Sequence, residues 1–223
     1  MKHENFTDWS VTRPGRREAF QSYVGGAKRV LDVAGVLVLA PIALPVIAGL
    51  WAAVRMDGGP GFFGHERAGR DATRFRCWKL RTMCVDAPER LRAHLKTDPI
   101  AAREWAQNYK LTHDPRVTRL GRVLRKSSLD ELPQLWNVLR GEMSLVGPRP
   151  VPEVELEEYR GVEWAYLMFR AGITGIWQVS GRNNVSYAER VKMDVGYVLN
   201  ARLGTDLMVL WKTVGAVWNR TGR

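Results

Sequence analysis

From Val33 to Val54 the chain carries no charged residue. These 22 residues, at about 1.5 Å each in a helix, make roughly 33 Å, enough to cross the hydrocarbon core of a bilayer. The length predicts a membrane segment, with the buried central helix of a soluble domain as the alternative. Pro41 and Pro45 fall mid-run, where each removes a backbone donor and favours a kink. Lys28 and Arg29 precede the run, and Arg55 and the basic stretch 67–126 follow it, so both ends favour the cytoplasm. A single straight pass cannot satisfy both ends. The pattern therefore predicts a re-entrant helix broken at Pro41 and Pro45. A full span stays open, because the first 29 residues with six basic groups could be carried across.

Beyond a Gly/Pro-rich turn at 58–61, the segments Phe62–Arg67 and Arg74–Leu80 flank Ala68-Gly69-Arg70-Asp71 and predict a β-hairpin. Helical spacing resumes over 87–96 and 100–111, each opened by a proline suited to a first turn. Ser128 and Glu131 have capping-box spacing ahead of the apolar-periodic 132–139, and Pro133 offers a second start just downstream. Further on, the spacing predicts a helix over 152–169, an extended piece over 175–179, and helices near 186–201 and 206–218. In the last of these, Leu207, Leu210, Trp211, Val214 and Trp218 recur at steps of three and four. That stripe suits either core packing or docking in a membrane interface. No repeat or low-complexity tract is present.

Composition narrows the partners. The 223 residues are 45% hydrophobic and 26% charged, which suits a folded chain with room for one sizeable core. Thirty-four Lys and Arg against 23 Asp and Glu leave a net charge of +11, pointing to anionic lipid, phosphorylated substrates or nucleic acid. Cys77 and Cys84 match no CxxC pattern and read as reduced thiols, and His3, His65, His94 and His113 lack metal-ligand spacing, so zinc is not expected. Residues 1–26 have no apolar core with a cleavage site and read as an uncleaved tail.

The chemistry concentrates at Asp130-Glu131. These adjacent carboxylates follow a run, Pro115 to Leu129, with no acid and with Arg116, Arg119, Arg122, Arg125 and Lys126. Cations can cradle phosphate oxygens while a carboxylate attacks phosphorus or shares a divalent metal. Equally, the pair could only complement a helix dipole and the basic run bind lipid headgroups. In Gly147-Pro148-Arg149-Pro150 the prolines stiffen the backbone around Arg149, a residue suited to bidentate phosphate contact. Gly172-Ile173-Thr174-Gly175 and Ser180-Gly181-Arg182-Asn183 read first as turns, and second as backbone amides around a ligand.

Taken in order, several motifs resemble the monotopic phosphoglycosyl transferases of bacteria. They are Lys28-Arg29 with Asp32 before the proline-containing run, Lys79-Leu80-Arg81-Thr82-Met83, Asp114-Pro115-Arg116-Val117-Thr118, Ser128-Leu129-Asp130-Glu131-Leu132-Pro133-Gln134, Ser144 to Pro150 and Gly172 to Arg182. The resemblance runs from about Ala27 to the C-terminus. It implies an α+β, mainly helical protein. Its parts would be a tail (1–26), a re-entrant membrane helix (27–57) and a cytoplasmic catalytic domain (58–223) with a small β-hairpin and amphipathic interfacial helices. It also implies residence on the cytoplasmic face of the bacterial inner membrane and contact with anionic lipids, not nucleic acid. By the same resemblance Asp130 attacks the β-phosphate of a UDP-sugar, releasing UMP. Undecaprenyl phosphate then takes the galactose or glucose 1-phosphate, the first membrane step of exopolysaccharide or other glycan assembly. Mg²⁺ is the implied cofactor, with Asp130 and Glu131 at the metal. Arg125 and Arg149 match arginines near the donor phosphates. Pro148 and Pro150 flank the latter, while Lys79, Asp114 and Arg116 occupy matching motif positions. Ala40 stands where many relatives have Ser before the first proline, so a hydroxyl that would support the bend is absent. The large N-terminal membrane domain of some relatives is also missing, which suggests a minimal form; the oligomeric state, a homodimer included, stays open. Two other readings remain: a membrane-anchored cationic binder without catalysis, and a metal-dependent glycosyltransferase without a covalent intermediate.

Overall fold

A computed structural model describes residues 23–108, 111–180 and 185–218. After a π-helical turn at Tyr23–Ala27, the apolar run forms one helix, α1 (Lys28–Arg55). Pro41 and Pro45 lie inside it without ending it. At 28 residues α1 is about 42 Å long. One stripe, with Asp32, Val36, Ala43 and Val54 buried and Ile47 and Leu50 packed beside them, lies against the rest of the protein along its length. The opposite face exposes Leu37, Val38, Ile42 and Leu44. Only 11% of the most apolar 18-residue window is buried. The buried central helix of a soluble domain would show the reverse, so the helix is suited to a membrane.

Both ends of α1 are tied to the same body. At the start, the Lys28 ammonium lies 2.6 Å from Asp206, which also accepts hydrogen bonds from Tyr23 (2.6 Å) and Tyr197 (2.7 Å). Asp32 accepts from Ser144 Oγ and Leu145 N, both at 2.9 Å. At the far end, the Arg81 guanidinium donates to Val54 O (3.1 Å) and Pro60 O (2.6 Å) and pairs with Asp57. Lys28 and Arg81 are tolerated in burial because each is paired and hydrogen-bonded, whereas Asp32 keeps only its Oδ1 hydrogen-bonded and its Oδ2 has no partner among the described residues.

Strands β1 (Phe62–Ala68) and β2 (Arg74–Leu80) form the expected antiparallel hairpin, in the register Phe62↔Leu80 to Ala68↔Arg74. Its turn takes Asp71 and Ala72 into left-handed backbone. Helices α2 (Ala87–Thr97) and α3 (Pro99–Asn108) follow, then α4 (Arg119–Ser127) and α5 (Gln134–Arg140). A second, parallel sheet pairs β3 (Met143–Val146) with β4 (Ala171–Thr174). Between these strands, α6 (Glu163–Leu167) follows a 3₁₀ stretch at Glu153–Tyr159. The chain ends in α7 (Ile176–Ser180), α8 (Tyr187–Leu199) and α9 (Leu203–Trp218). The main core gathers Val36, Val138, Val146, Tyr197 and Val209 around the parallel pair.

Several expectations need correction. The helix expected over 152–169 divides at Gly161, whose φ of 86° lies in the left-handed region that glycine enters readily. The extended piece expected over 175–179 is helical, and the strand lies just upstream as β4. The Ser128 capping box is absent. Ser128 adopts φ 58° at the end of α4 and makes no side-chain cap, and α5 starts after Pro133, the alternative position. In α9 the packing face is Asp206, Val209 and Leu210, while Leu207, Trp211 (79% exposed) and Val214 turn outward, so the expected stripe divides between core and surface. The side chain of Trp218 and residues 181–183 lie outside the described residues, as does most of the tail.

Candidate active site

The turn that carries the two carboxylates is set by the helix before it. Thr118 caps α4, its Oγ1 accepting from Gly121 N at 2.8 Å. A Cβ on Gly121 would lie 2.0 Å from the Thr82 carbonyl, so only glycine lets α4 approach the segment after β2 this closely. At the other end, left-handed Ser128 redirects the chain into a 3₁₀ turn, Leu129–Glu131, that leaves Asp130 only 7% exposed.

Lys79 on β2 reaches this turn, its Nζ 2.6 Å from Glu131 Oε1. Buried Asn137 holds α5 against β2 by accepting from Trp78 N (3.0 Å) and donating to Arg76 O (2.8 Å), which fixes the strand just ahead of Lys79. Burial, with the neighbouring Glu131 charge, pushes Asp130 up to about 6, while Lys79 and Arg125 pull the other way. Arg125 is itself largely desolvated and donates to Thr82 Oγ1 at 2.9 Å.

Beside this turn a cleft of about 270 Å³, open mouth included, is lined by Arg67, Lys79, Glu131, Gln134, Arg149 and Gln178, together with Pro150. Asp130 does not line it but lies beside Glu131 in the same turn. Gly147 N donates to Thr174 O (2.9 Å) and Gly172 N to Pro148 O (2.7 Å), so the parallel sheet carries the Pro-Arg-Pro loop to the cleft. A Cβ on Gly172 would meet Gly147 N at 2.1 Å, which explains that glycine by backbone contact rather than by a turn. Pro148 is buried, whereas Arg149 is exposed with its guanidinium 5.7 Å from the Trp177 ring centre, a ring that Arg190 approaches at 4.6 Å.

Lys79, Glu131, Arg149 and Pro150 thus meet in the cleft, with Asp130 and Arg125 at its edge. Asp114 and Arg116 stand apart from its lining. Arg116 binds Asp114 through two bonds of 2.8 and 2.6 Å and lies 4.9 Å from the Trp105 ring centre. Burial would raise the Asp114 carboxyl, but those bonds overcome it and hold the group below its usual range. The pair therefore reads as a brace on the loop before α4. Sequence reasoning missed Arg67, Gln134 and Gln178. On β1 Arg67 lies between exposed Glu66 and buried Ala68 and pairs with Phe75, so no local pattern in the sequence singles it out.

Asp130 and Glu131 are adjacent, and no group of three or more metal-type ligands occurs among the described residues. Such a pair suits a hard cation that takes one or two carboxylates and completes its shell with phosphate oxygens and water, as magnesium does. A closed zinc site does not fit.

Behind the Pro-Arg-Pro loop, buried Asp194 accepts from Tyr159 Oη at 2.7 Å, and burial pushes its carboxyl up to about 7 against the partial pull of Tyr159 and Arg149. The folded protein therefore holds a proton that the unfolded chain releases near its ordinary pKa of about 4, so this group's contribution to stability falls as pH rises from about 4 to about 7. Asp194→Asn keeps an acceptor for Tyr159 and removes the titration. Melting temperature measured from pH 5 to pH 8 should fall less in the variant than in the wild type; parallel profiles would contradict the assignment.

The model of the bacterial sugar transferase family matches residues 23–220. A UDP-galactose-lipid carrier transferase of Erwinia amylovora is 53% identical over 195 residues, covering 87% of this chain and 41% of that protein. The exopolysaccharide production protein ExoY of Rhizobium meliloti is 48% identical over 205 residues, covering 92% and 91% of the two chains. A UDP-glucose:undecaprenyl-phosphate glucose-1-phosphate transferase of Caulobacter vibrioides is 38% identical over 196 residues, covering 84% and 68%. The chain thus spans about two fifths of the first relative and nearly the whole of the second.

Proposed function

The chain belongs to the bacterial sugar transferase family, and from that premise we propose that it transfers galactose or glucose 1-phosphate from a UDP-sugar to undecaprenyl phosphate. UMP is released, and the reaction begins exopolysaccharide or other glycan assembly at the cytoplasmic face of the bacterial inner membrane. One observation carries the reading: a carboxylate pair on a buried turn adjoins a cleft that presents Lys79, Arg67 and Arg149, on a body bearing an exposed apolar helix. The relatives named for UDP-galactose and UDP-glucose support the donor class.

Asp130 is the nucleophile. Its carboxylate oxygen bonds to the β-phosphorus as the bond from that phosphorus to the bridging oxygen breaks, and UMP leaves with the electron pair. An oxygen of undecaprenyl phosphate then attacks the same phosphorus, the bond to Asp130 breaks, and the carboxylate is restored. Arg125 and Arg149 stabilise the charge that develops on the phosphoryl oxygens, where fixed cations in a partly dry site act most strongly. Lys79 holds Glu131 in place through its 2.6 Å ion pair. Magnesium bound by Asp130 and Glu131 would neutralise diphosphate charge.

α1 is re-entrant in this reading. Its two ends are tied to one body and a stripe of it packs there along its length, whereas a straight crossing would carry one end away. Pro41 and Pro45 remove donors to the carbonyls of Leu37 and Pro41, which eases bending within the bilayer. Exposed Phe62, Phe63, Leu207 and Trp211 suit a leaflet surface, and the excess positive charge suits its anionic lipids.

The detergent-solubilised protein with Mg²⁺, undecaprenyl phosphate and a panel of UDP-sugars should release UMP with one donor, detected by chromatography. No release with any UDP-sugar would overturn the proposal.

A further inference from the structure

Most guanidiniums in this body that are shielded from solvent have a partner. Arg81 pairs with Asp57, Arg116 with Asp114, Arg125 donates to Thr82, and Arg29 and Arg170 donate to carbonyls of the α5 end, Val138 O and Gly141 O. Arg67 differs. It is half-buried, it lines the cleft, and among the described residues it forms no ion pair or hydrogen bond through its side chain. Arg149 lines the same cleft and, among the described residues, its guanidinium is recorded against the Trp177 ring alone.

The backbone holds these two residues together. Arg67 is opposite Phe75, and residues 75, 77 and 79 alternate onto one face of the hairpin, so Arg67 shares a face with Cys77 and Lys79. The next residue, Ala68, donates to Val151 O (3.0 Å) and accepts from Tyr166 Oη (2.8 Å). The strand end is thereby fastened to the segment that follows Arg149. Burial and the Arg149 charge both make the Arg67 cation less favourable. Two like charges held on one cleft are costly unless an anion sits between them.

We propose that Arg67 is a phosphoryl-binding residue that, with Arg149, forms a two-guanidinium receptor for a phosphate group in the cleft shared with Lys79 and Glu131. The inference rests on the reading of this cleft as the site of sugar-phosphate transfer. Guanidinium forks match phosphate oxygens in pairs, which a lysine cannot reproduce. Lys79 is already committed to Glu131, so of the cations that line the cleft Arg67 and Arg149 are left to meet the substrate's charge, with Arg125 at its edge. The phosphate belongs to the nucleotide donor or to the lipid acceptor.

The test uses the full-length detergent-solubilised protein, with Arg67→Gln and Arg67→Lys beside the wild type. Inorganic pyrophosphate binding, followed by thermal shift without turnover, should be saturable in the wild type and weakened about tenfold or more in Arg67→Gln, with an intermediate loss in Arg67→Lys. In steady state the same variants should raise KM for one substrate. A rise for the UDP-sugar assigns the phosphate to the donor, and a rise for undecaprenyl phosphate assigns it to the acceptor. Should Arg67→Gln fail to fold, Arg67→Lys alone decides through the same two readouts. Absence of pyrophosphate binding by the wild type overturns the proposal. So does a folded variant whose pyrophosphate affinity and both KM values match wild type. Pyrophosphate binding lost in the variant, with no transfer from any UDP-sugar, would keep the receptor and instead overturn the proposed function.

Discussion

Asp130→Asn should lower turnover on the order of a thousandfold or more while leaving the fold intact. The amide keeps the shape of the carboxyl and cannot form the bond to phosphorus. Asp130 is 7% exposed, and its buried charge is opposed by desolvation, so the neutral amide should be accommodated with little change in melting temperature. Turnover by UMP release and thermal unfolding, measured on one preparation, separate the two effects. Near-normal turnover in the variant would contradict the role of nucleophile; lost turnover with a collapsed melting temperature would mean that the carboxylate acts through folding.

Arg149→Ala should follow, with a loss of about a hundredfold or more in kcat/KM for the donor. Its contact with the Trp177 ring, at an exposed position, is worth only about 0.5–1 kcal/mol, so stability should hardly change. Arg149→Lys retains the charge and loses the fork, and should recover only part of the activity. Equal activity of the Lys variant and the wild type would make Arg149 a general source of positive charge rather than a directed phosphate ligand. Steady-state kinetics with varied UDP-sugar distinguishes these outcomes.

Much of the fold could be read from local pattern. The hairpin was legible to within one residue because its two apolar-polar segments flank a turn-forming tetrad, and α1 because nothing in 33–54 is charged. The parallel strands were not. β3 has four residues, all buried, and its Met143, Ser144, Leu145 and Val146 show no alternation. The helix expected through 152–169 failed at Gly161, since a single left-handed glycine ends a helix that composition would continue. Ser128 was misread because its spacing from Glu131 fits a cap, whereas Thr118 caps α4 and Ser128 closes that helix.

The site divides in the same way. Asp130-Glu131 and the Pro-Arg-Pro loop were legible as contiguous motifs whose meaning the family resemblance supplied. Arg67 was invisible, because its nearness to Arg149 depends on the hairpin register and on the bonds from Ala68 to Val151 and Tyr166, none of which is local in sequence. Asp114 and Arg116 were legible as a motif, yet the structure pairs them with each other outside the cleft lining.

The central claim is a covalent phosphosugar on the enzyme, and isotope exchange tests it most directly. The protein is incubated with the accepted UDP-sugar, Mg²⁺ and labelled UMP, with no undecaprenyl phosphate present. A ping-pong route through Asp130 predicts that label enters the UDP-sugar, and that Asp130→Asn abolishes the exchange. Full transfer activity in the presence of lipid, with no exchange in its absence, would contradict the intermediate and favour direct attack by the lipid phosphate.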